Sequence, residues 1–264
     1  MEKGFTLVIP LYNKVNVFRN TLESVRKNHG EYPFKCIIVD DDSTDGSSEI
    51  AEEYDVKYPD IFMYIKKKHR GHKGPVYARN LGIKLADTEY IGFLDCDDEL
   101  CKGFIDRACN FLDNNPEYNM YACGQITCGY SENGEKKYQW YKPSSDKIRD
   151  FKSYVLYGGI DVHHSTHIYK TELVKKYPFI DCFNEDVVFK LRYIYYNEPI
   201  YYDNSTYESF IWNTIYSNSH DFWYRKDKGL VKLFETLKEV IPNFEYTVEM
   251  IDNNNFYLKT IKEL

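Results

Sequence analysis

Asp40-Asp41-Asp42 and Asp95-Cys96-Asp97-Asp98-Glu99 each follow a short apolar run, Cys36 to Val39 in the first case and Tyr90 to Leu94 in the second. Runs rich in β-branched and aromatic residues that stop at Asp, Ser or Gly read as buried strands ending at a loop. Carboxylates crowded at such an end repel one another, so the arrangement holds only when a cation or hydrogen-bond donors compensate. The chemistry these residues suit is capture of a ligand, with a divalent metal as the natural partner. A third acidic pair, Glu185-Asp186, opens a stretch of helical spacing through Asn197. A carboxylate there can serve as a general base or simply as a helix cap.

The elements that must position these residues alternate in type. Phe5 to Pro10, Lys35 to Asp40, Ile61 to Lys67 and Tyr90 to Leu94 have strand character, and between them Val15 to about Lys27, Ser47 to Tyr58 and Pro75 to Ala86 have helical spacing. A helix over Lys102 to Asn115 and a strand over Tyr118 to Thr127 follow. The alternation predicts an α/β fold, a mostly parallel Rossmann-like sheet flanked by helices, with ligands bound beyond the carboxyl ends of the strands. Both acidic clusters fall at such ends. Further on the pattern loosens: a polar loop or hairpin over Ser131 to Asp150, a strand over Ser165 to Lys170, a helix over Glu185 to Asn197 and an amphipathic helix over Asp227 to Val240. The expected organisation is one continuous domain: residues 1–125 for nucleotide and metal, a small region 126–215 for acceptor and base, and a helical tail over 216–264.

Composition narrows the class. A chain of 264 residues with 43% hydrophobic content can bury a sizeable core, and its net charge of -7 opposes a nucleic-acid partner, which would require a basic face. Seven cysteines without a C-x-x-C pair read as reduced thiols in a cytoplasmic protein. Neither a secretory leader nor an apolar run of the roughly 18 residues needed to span a membrane is evident. The 26 tyrosines read mainly as core and surface residues. Leu230, Leu233, Phe234, Leu237 and Ile241 share one helical face, suited to packing on the domain, to a homodimer contact or to peripheral docking on a membrane.

Five segments then occur in order: Val8-Ile9-Pro10-Leu11-Tyr12-Asn13-Lys14, Ile38 to Ser47, Gly74-Pro75-Val76-Tyr77-Ala78-Arg79-Asn80, Leu94-Asp95-Cys96-Asp97-Asp98, and Asn184-Glu185-Asp186. Together they resemble the family-2 glycosyltransferases of GT-A fold. The resemblance implies inverting transfer from a nucleotide-diphosphate sugar, a UDP-sugar by family habit, to a hydroxyl of a glycan or lipid-linked glycan in surface polysaccharide synthesis. It implies donor contacts at Pro10, Tyr12, Asn13, Asp41, Asp42, Lys73, Arg79, Asp95 and Asp97. It also implies Mn2+ or Mg2+ on Asp97 and Asp98, Asp186 as base, and Glu185 and His164 on the acceptor side. The alternatives are a nucleotidyltransferase, which would favour a glycine- and lysine-rich loop where Pro10 to Asn13 stand, and a catalytically inactive nucleotide-sugar-binding module.

Other signals carry competing readings. Asp41-x-Ser43-x-Asp45-Gly46 with Glu52 mimics a calcium loop, yet it follows a strand rather than a helix. The run Lys66 to Lys73 precedes a helix opened by Pro75 and suits a diphosphate as well as it suits solvent. His163-His164-x-x-His167 lacks a clear fourth zinc ligand. Trp140, Trp212 and Trp223 fit core or interface packing better than stacking on a sugar.

Overall fold

The computed structural model describes residues 1–67, 74–130, 136–143, 148–156, 159, 162–212, 226–242, 244–252 and 255–262. Four parallel strands form its first half: β1 (Glu2–Leu11), β2 (Phe34–Asp40), β3 (Phe62–Lys66) and β4 (Thr88–Phe93), linked by α1 (Phe18–Arg26), α2 (Ser47–Lys57) and α3 (Pro75–Leu85). The second half adds β5 (Glu99–Leu100), α4 (Phe104–Asn114), β6 (Met120–Tyr130), β7 (Lys136–Tyr141), α5 (Phe151–Leu156), β8 (His167–Lys170), α6 (Thr171–Val174), α7 (Glu185–Asn197) and β9 (Tyr201–Trp212). One sheet runs β3-β2-β1-β4-β8-β6-β9-β5, with β7 paired to β6. The antiparallel strand β8 joins the two halves, lying between β4 and β6.

Strand periodicity explains the layers. Phe5, Leu7, Ile9 and Leu11 of β1 point to a core shared with α1, α2 and α4, while Val8 points to the opposite core, with Ile83 of α3, Phe93 and Phe189 of α7. Gly82 lets α3 lie directly on β1, because a methyl group there would collide with Val8. That close packing sets the height of Arg79, one turn earlier on the same helix. The chain order reverses at β1, whose neighbours are β2 and β4, so the crevice for ligands falls between their carboxyl ends.

Several expectations shift in detail. The polar stretch after β6 folds back as β7, the hairpin alternative. Part of the strand expected from Ser165 is a 3-10 turn, His164–Thr166, with β8 beginning at His167. The C-terminal segment is not helical throughout: α8 (Lys226–Val240) is followed by a two-stranded antiparallel sheet, β10 (Glu245–Asp252) and β11 (Asn255–Lys262). A turn-forming Asp-Asn-Asn-Asn run between two segments rich in Val, Thr, Tyr and Ile favours a hairpin over a continuous helix. Leu233, Phe234, Leu237 and Ile241 of the α8 segment are buried in the core that contains α7, so this apolar stripe is used in packing. All seven cysteines are free, and among the described residues no helix is long and apolar enough to cross a membrane.

Candidate active site

The two acidic strand ends are built differently. Asp40 is fully buried, and its Oδ1 accepts hydrogen bonds from the Ser43 amide and hydroxyl, while Oδ2 accepts from the hydroxyls of Ser48 and Tyr64. Asp41 accepts from Lys67 Nζ at 2.9 Å and from the Gly74 amide at 2.7 Å, with the lysine lying over the Tyr77 ring. Asn13 and Asp42 take left-handed backbone angles, φ 49° and 67°, which Asn and Asp tolerate better than most residues. The Asn13 side-chain Oδ1 accepts from the Thr44 backbone N–H, and the Asn13 backbone N–H donates to Ser43 Oγ, tying the loops after β1 and β2 together. Tyr12, beside this tie, is 55% exposed, and Pro10 is buried within β1 opposite Val39.

Asp45 accepts from Val15 N and from the Ser47 amide and hydroxyl. The carboxylates of the calcium-loop look-alike therefore point to separate tasks around a strand end and a helix start. That look-alike is a scaffold.

The second cluster is crowded with charge. Asp95 faces Arg79 Nη2 at 2.9 Å, His164 Nε2 at 3.2 Å and His163 Nε2 at 3.5 Å. Asp97 is held by Lys14 Nζ at 2.6 Å. Buried Asp98 accepts from Ser165 Oγ at 3.2 Å and lies 3.4 Å from His163 Nδ1. Thr21 and Ser24 of α1 anchor the segment by bonding Cys96 O and Leu100 N. From the other half, Asn184 turns through the left-handed region to open α7 with Glu185 and Asp186. Glu185 meets Arg79 Nη1 at 2.9 Å, and Asp186 Oδ2 stands 3.4 Å from His164 Nδ1.

Electrostatics separate these groups. Burial and the Asp95 charge push the Asp97 carboxyl above its usual range, against the opposing pull of Lys14. Burial would raise Asp95 too, but the positive charges of His164 and Arg79 hold it well below. Burial penalises the Asp186 charge in the same way, and nearby His164, with its positive charge, more than offsets that penalty, leaving it below the ordinary value. His164 is itself raised, since Asp95 outweighs its burial, whereas burial and the His164 charge push His163 down to about 3.

This donor set fits a divalent cation. Carboxylate oxygens suit Mg2+ or Mn2+, and the Lys14 ammonium on Asp97 is a cation standing where a metal would relieve the same repulsion. Asp95, His163 and His164 also bring ligating atoms within 4.8 Å of one another, but Arg79 already neutralises Asp95 and disfavours a second cation on that side.

The structure revises several single-residue expectations. His164, expected to line the acceptor pocket, is 1% exposed and wedged between Asp95 and Asp186 because the 3-10 turn directs it inward. Arg79, expected at the nucleotide, is 3% exposed and spans Asp95 and Glu185 as an internal strut. His167 turns away from the cluster to bond Tyr154. Trp140, expected to pack in the core or at an interface, is 63% exposed on β7 and so takes no part in the core. Lys73 and Trp223, and the side chain of Trp212, lie outside the described residues. Lys14 and Ser165 also join the site without having been singled out, and His163 and Lys67 join it from the histidine motif and the basic run. The signals for the first two were adjacency to Asn13 and to His164.

The chain matches the family model "Glycosyl transferase family 2" over residues 6–177. It is 37% identical over 112 residues to minor teichoic acid biosynthesis protein GgaB of Bacillus subtilis (strain 168), an alignment covering 42% of this chain and 12% of that protein. It is 27% identical over 230 residues to the uncharacterized glycosyltransferase YibD of Escherichia coli (strain K12), covering 81% and 63%. The chain thus spans less than two thirds of the length of these relatives. In structure it superposes on S. aureus TarS 1-349 in complex with UDP-GlcNAc with a TM-score of 0.69 at 21% identity, over 91% of this chain and 67% of that one. The likeness to the mannosyltransferase PcManGT of Pyrobaculum calidifontis, in complex with GDP-Man and Mn2+, has a TM-score of 0.64 at 17% identity, over 90% and 65%. With its motifs at the carboxyl rim of a GT-A sheet and the family model matched over most of its length, this chain belongs to glycosyl transferase family 2.

Proposed function

We propose that the protein transfers a sugar, with inversion, from a UDP-sugar to a hydroxyl of a glycan acceptor in surface polysaccharide or lipid-linked oligosaccharide synthesis. The observation that carries this reading is the placing of Asp186, at the head of α7, across from the crowded carboxylates Asp95, Asp97 and Asp98. Asp186 takes the proton of the acceptor hydroxyl. That oxygen attacks the anomeric carbon as the bond to the diphosphate breaks on the opposite face, and the electron pair leaves with the nucleotide. A divalent cation, when bound, supplies Lewis-acid stabilisation of the charge on the departing diphosphate.

Asp97 and Asp98 would hold that cation, Asp97 through the carboxylate that Lys14 meets at 2.6 Å in this structure. Asp41, Asp42, Tyr12 and Asn13 form the nucleoside side, and Glu185 lies beside the acceptor. Residues 1 to about 125 take the donor, and the region to about 215 supplies the base. Support for the donor class comes from TarS, solved in complex with UDP-GlcNAc, and for the acceptor class from GgaB, named for minor teichoic acid biosynthesis.

The test is calorimetric titration with UDP, GDP and dTDP, each with and without Mn2+, followed by UDP release from UDP-glucose and UDP-GlcNAc. Metal-dependent binding of UDP alone is expected. Asp186→Asn should keep that binding and lower turnover by about 10²- to 10⁴-fold. Undiminished turnover in this variant would remove Asp186 as the base.

A further inference from the structure

Asp186 has one neighbour that touches both acidic segments. The His164 ring is 1% exposed, with Nε2 at 3.2 Å from Asp95 Oδ1 and Nδ1 at 3.4 Å from Asp186 Oδ2. A planar ring holds its two nitrogens at a fixed separation, so the bond on one side sets the position of the group on the other. The Nε2 side is firm, because it also meets Arg79 Nη2 at 3.5 Å, and Arg79 in turn holds Asp95 at 2.9 Å and Glu185 at 2.9 Å. The Nδ1 side is loose. This nitrogen is buried, and although Asp186 is close, no atom among the described residues meets it in hydrogen-bonding alignment. A buried donor without an aligned acceptor is costly, and catalytic hydrogen bonds in unliganded enzymes are often long and tighten with substrate.

We propose that His164 is a positioning residue that orients the Asp186 carboxylate toward the acceptor oxygen, using Asp95 as its fixed support. The proposal rests on Asp186 being the base. Its consequence is that the acceptor-side carboxylate is aligned from the donor-side rim rather than by its own helix alone. When the site fills, Nδ1–H closes on Asp186 Oδ2 and leaves the other carboxylate oxygen free for the incoming hydroxyl proton. Without that bond the carboxylate turns about its side-chain torsions, and the productive orientation is a minor one.

Two amide variants separate the two sides of the ring. The side-chain nitrogen of Asn falls near the position of Nδ1, and that of Gln near Nε2. His164→Asn therefore keeps a donor toward Asp186, and His164→Gln keeps one toward Asp95. With UDP release from UDP-GlcNAc as the assay and calorimetric UDP binding in Mn2+ as the control, His164→Gln should lower kcat by about 10- to 10²-fold. Its donor KM and UDP affinity should stay within about 2-fold, and His164→Asn should recover most of kcat. Adding His164→Gln to Asp186→Asn should cause no further loss, because the two act as one unit.

Equal loss of kcat in the Asn and Gln variants would overturn the proposal, as would a loss that appears as weakened UDP binding. If the Gln variant fails to fold, the Asn variant is compared with His164→Ala: kcat about 10-fold or more above that of the Ala variant is expected, and equal kcat in the two overturns the positioning role. Failure of the underlying reading looks different. In that case Asp186→Asn alone retains turnover, whatever the His164 variants do.

Discussion

The acidic strand ends after β2 and β4 have similar sequences and opposite physical states. After β2, Asp40 is surrounded by the hydroxyls of Ser43, Ser48 and Tyr64, and Asp41 by one lysine and one amide. Asp40 and Asp41 thus have their donors built in. After β4, three carboxylates share one rim, and the compensation is long-range, from Lys14 of the first loop, Arg79 of α3 and the histidine pair before β8. A satisfied cluster is a scaffold that holds its loop in one shape. A crowded one keeps unrelieved repulsion and is therefore where a diffusible cation gains most.

This contrast can be broken by substitution. The largest effect is expected at Asp40→Ala, which strands three hydroxyl donors in a buried site. Charge-assisted bonds of this kind contribute about 1.5–3 kcal/mol each before relaxation, so a loss of about 3 kcal/mol or more should appear in urea unfolding. A stability change under about 1 kcal/mol would place Asp40 outside the scaffold. Asp97→Asn should do the reverse. Burial and Asp95 already raise its pKa, so ionising Asp97 costs folding free energy above that pKa, and a neutral amide removes the cost. Thermal stability should hold while Mn2+-dependent UDP affinity falls by about 10²-fold, or ~2.7 kcal/mol. Unaltered metal dependence would move the metal off Asp97.

Smaller effects sharpen the comparison. Lys14→Met removes the cation competing for Asp97, so Mn2+ binding measured by electron paramagnetic resonance should tighten by about 10-fold, or ~1.4 kcal/mol. Weaker Mn2+ binding would mean that Lys14 helps to build the site rather than standing in for the metal. The smallest effect concerns His167, which burial and nearby Lys190 keep neutral in the fold, well below its ordinary pKa of 6.5. As pH falls below 6.5 the unfolded chain takes up this proton first, so its stabilising contribution is present above that pH and is lost below it. The unfolding free energy from urea titration should therefore fall less between pH 7 and 5.5 in His167→Gln than in the unsubstituted protein, by about 1 kcal/mol. Identical pH slopes would rule out His167 as the source.

Much of the first half was legible because its signals are local. Strands β1 to β4 and helices α1 to α3 each carry their own periodicity and stop signals, and the acidic ends are read from consecutive residues. The second half was less so. The small β5 and the long β9 depend on partners distant in sequence, and β9 in particular gains its place only by lying along β6. At single residues the same limit applies. The placing of Tyr12 just past the end of β1 and of Asp186 at the start of α7 could be read from the sequence, whereas the inward turn of His164 and the burial of Arg79 could not.

The amino-acid order by itself determined the alternation of strand and helix, the acidic strand ends and the pair that opens α7, because these follow from propensity and spacing along a few residues. Tertiary structure alone decided which carboxylate is a scaffold and which is poised for a cation. It also decided that Lys14 lies on Asp97 and that His164 spans Asp95 and Asp186. The reason is that charge compensation depends on distances of about 3 Å between groups separated by tens of residues, and packing sets those distances.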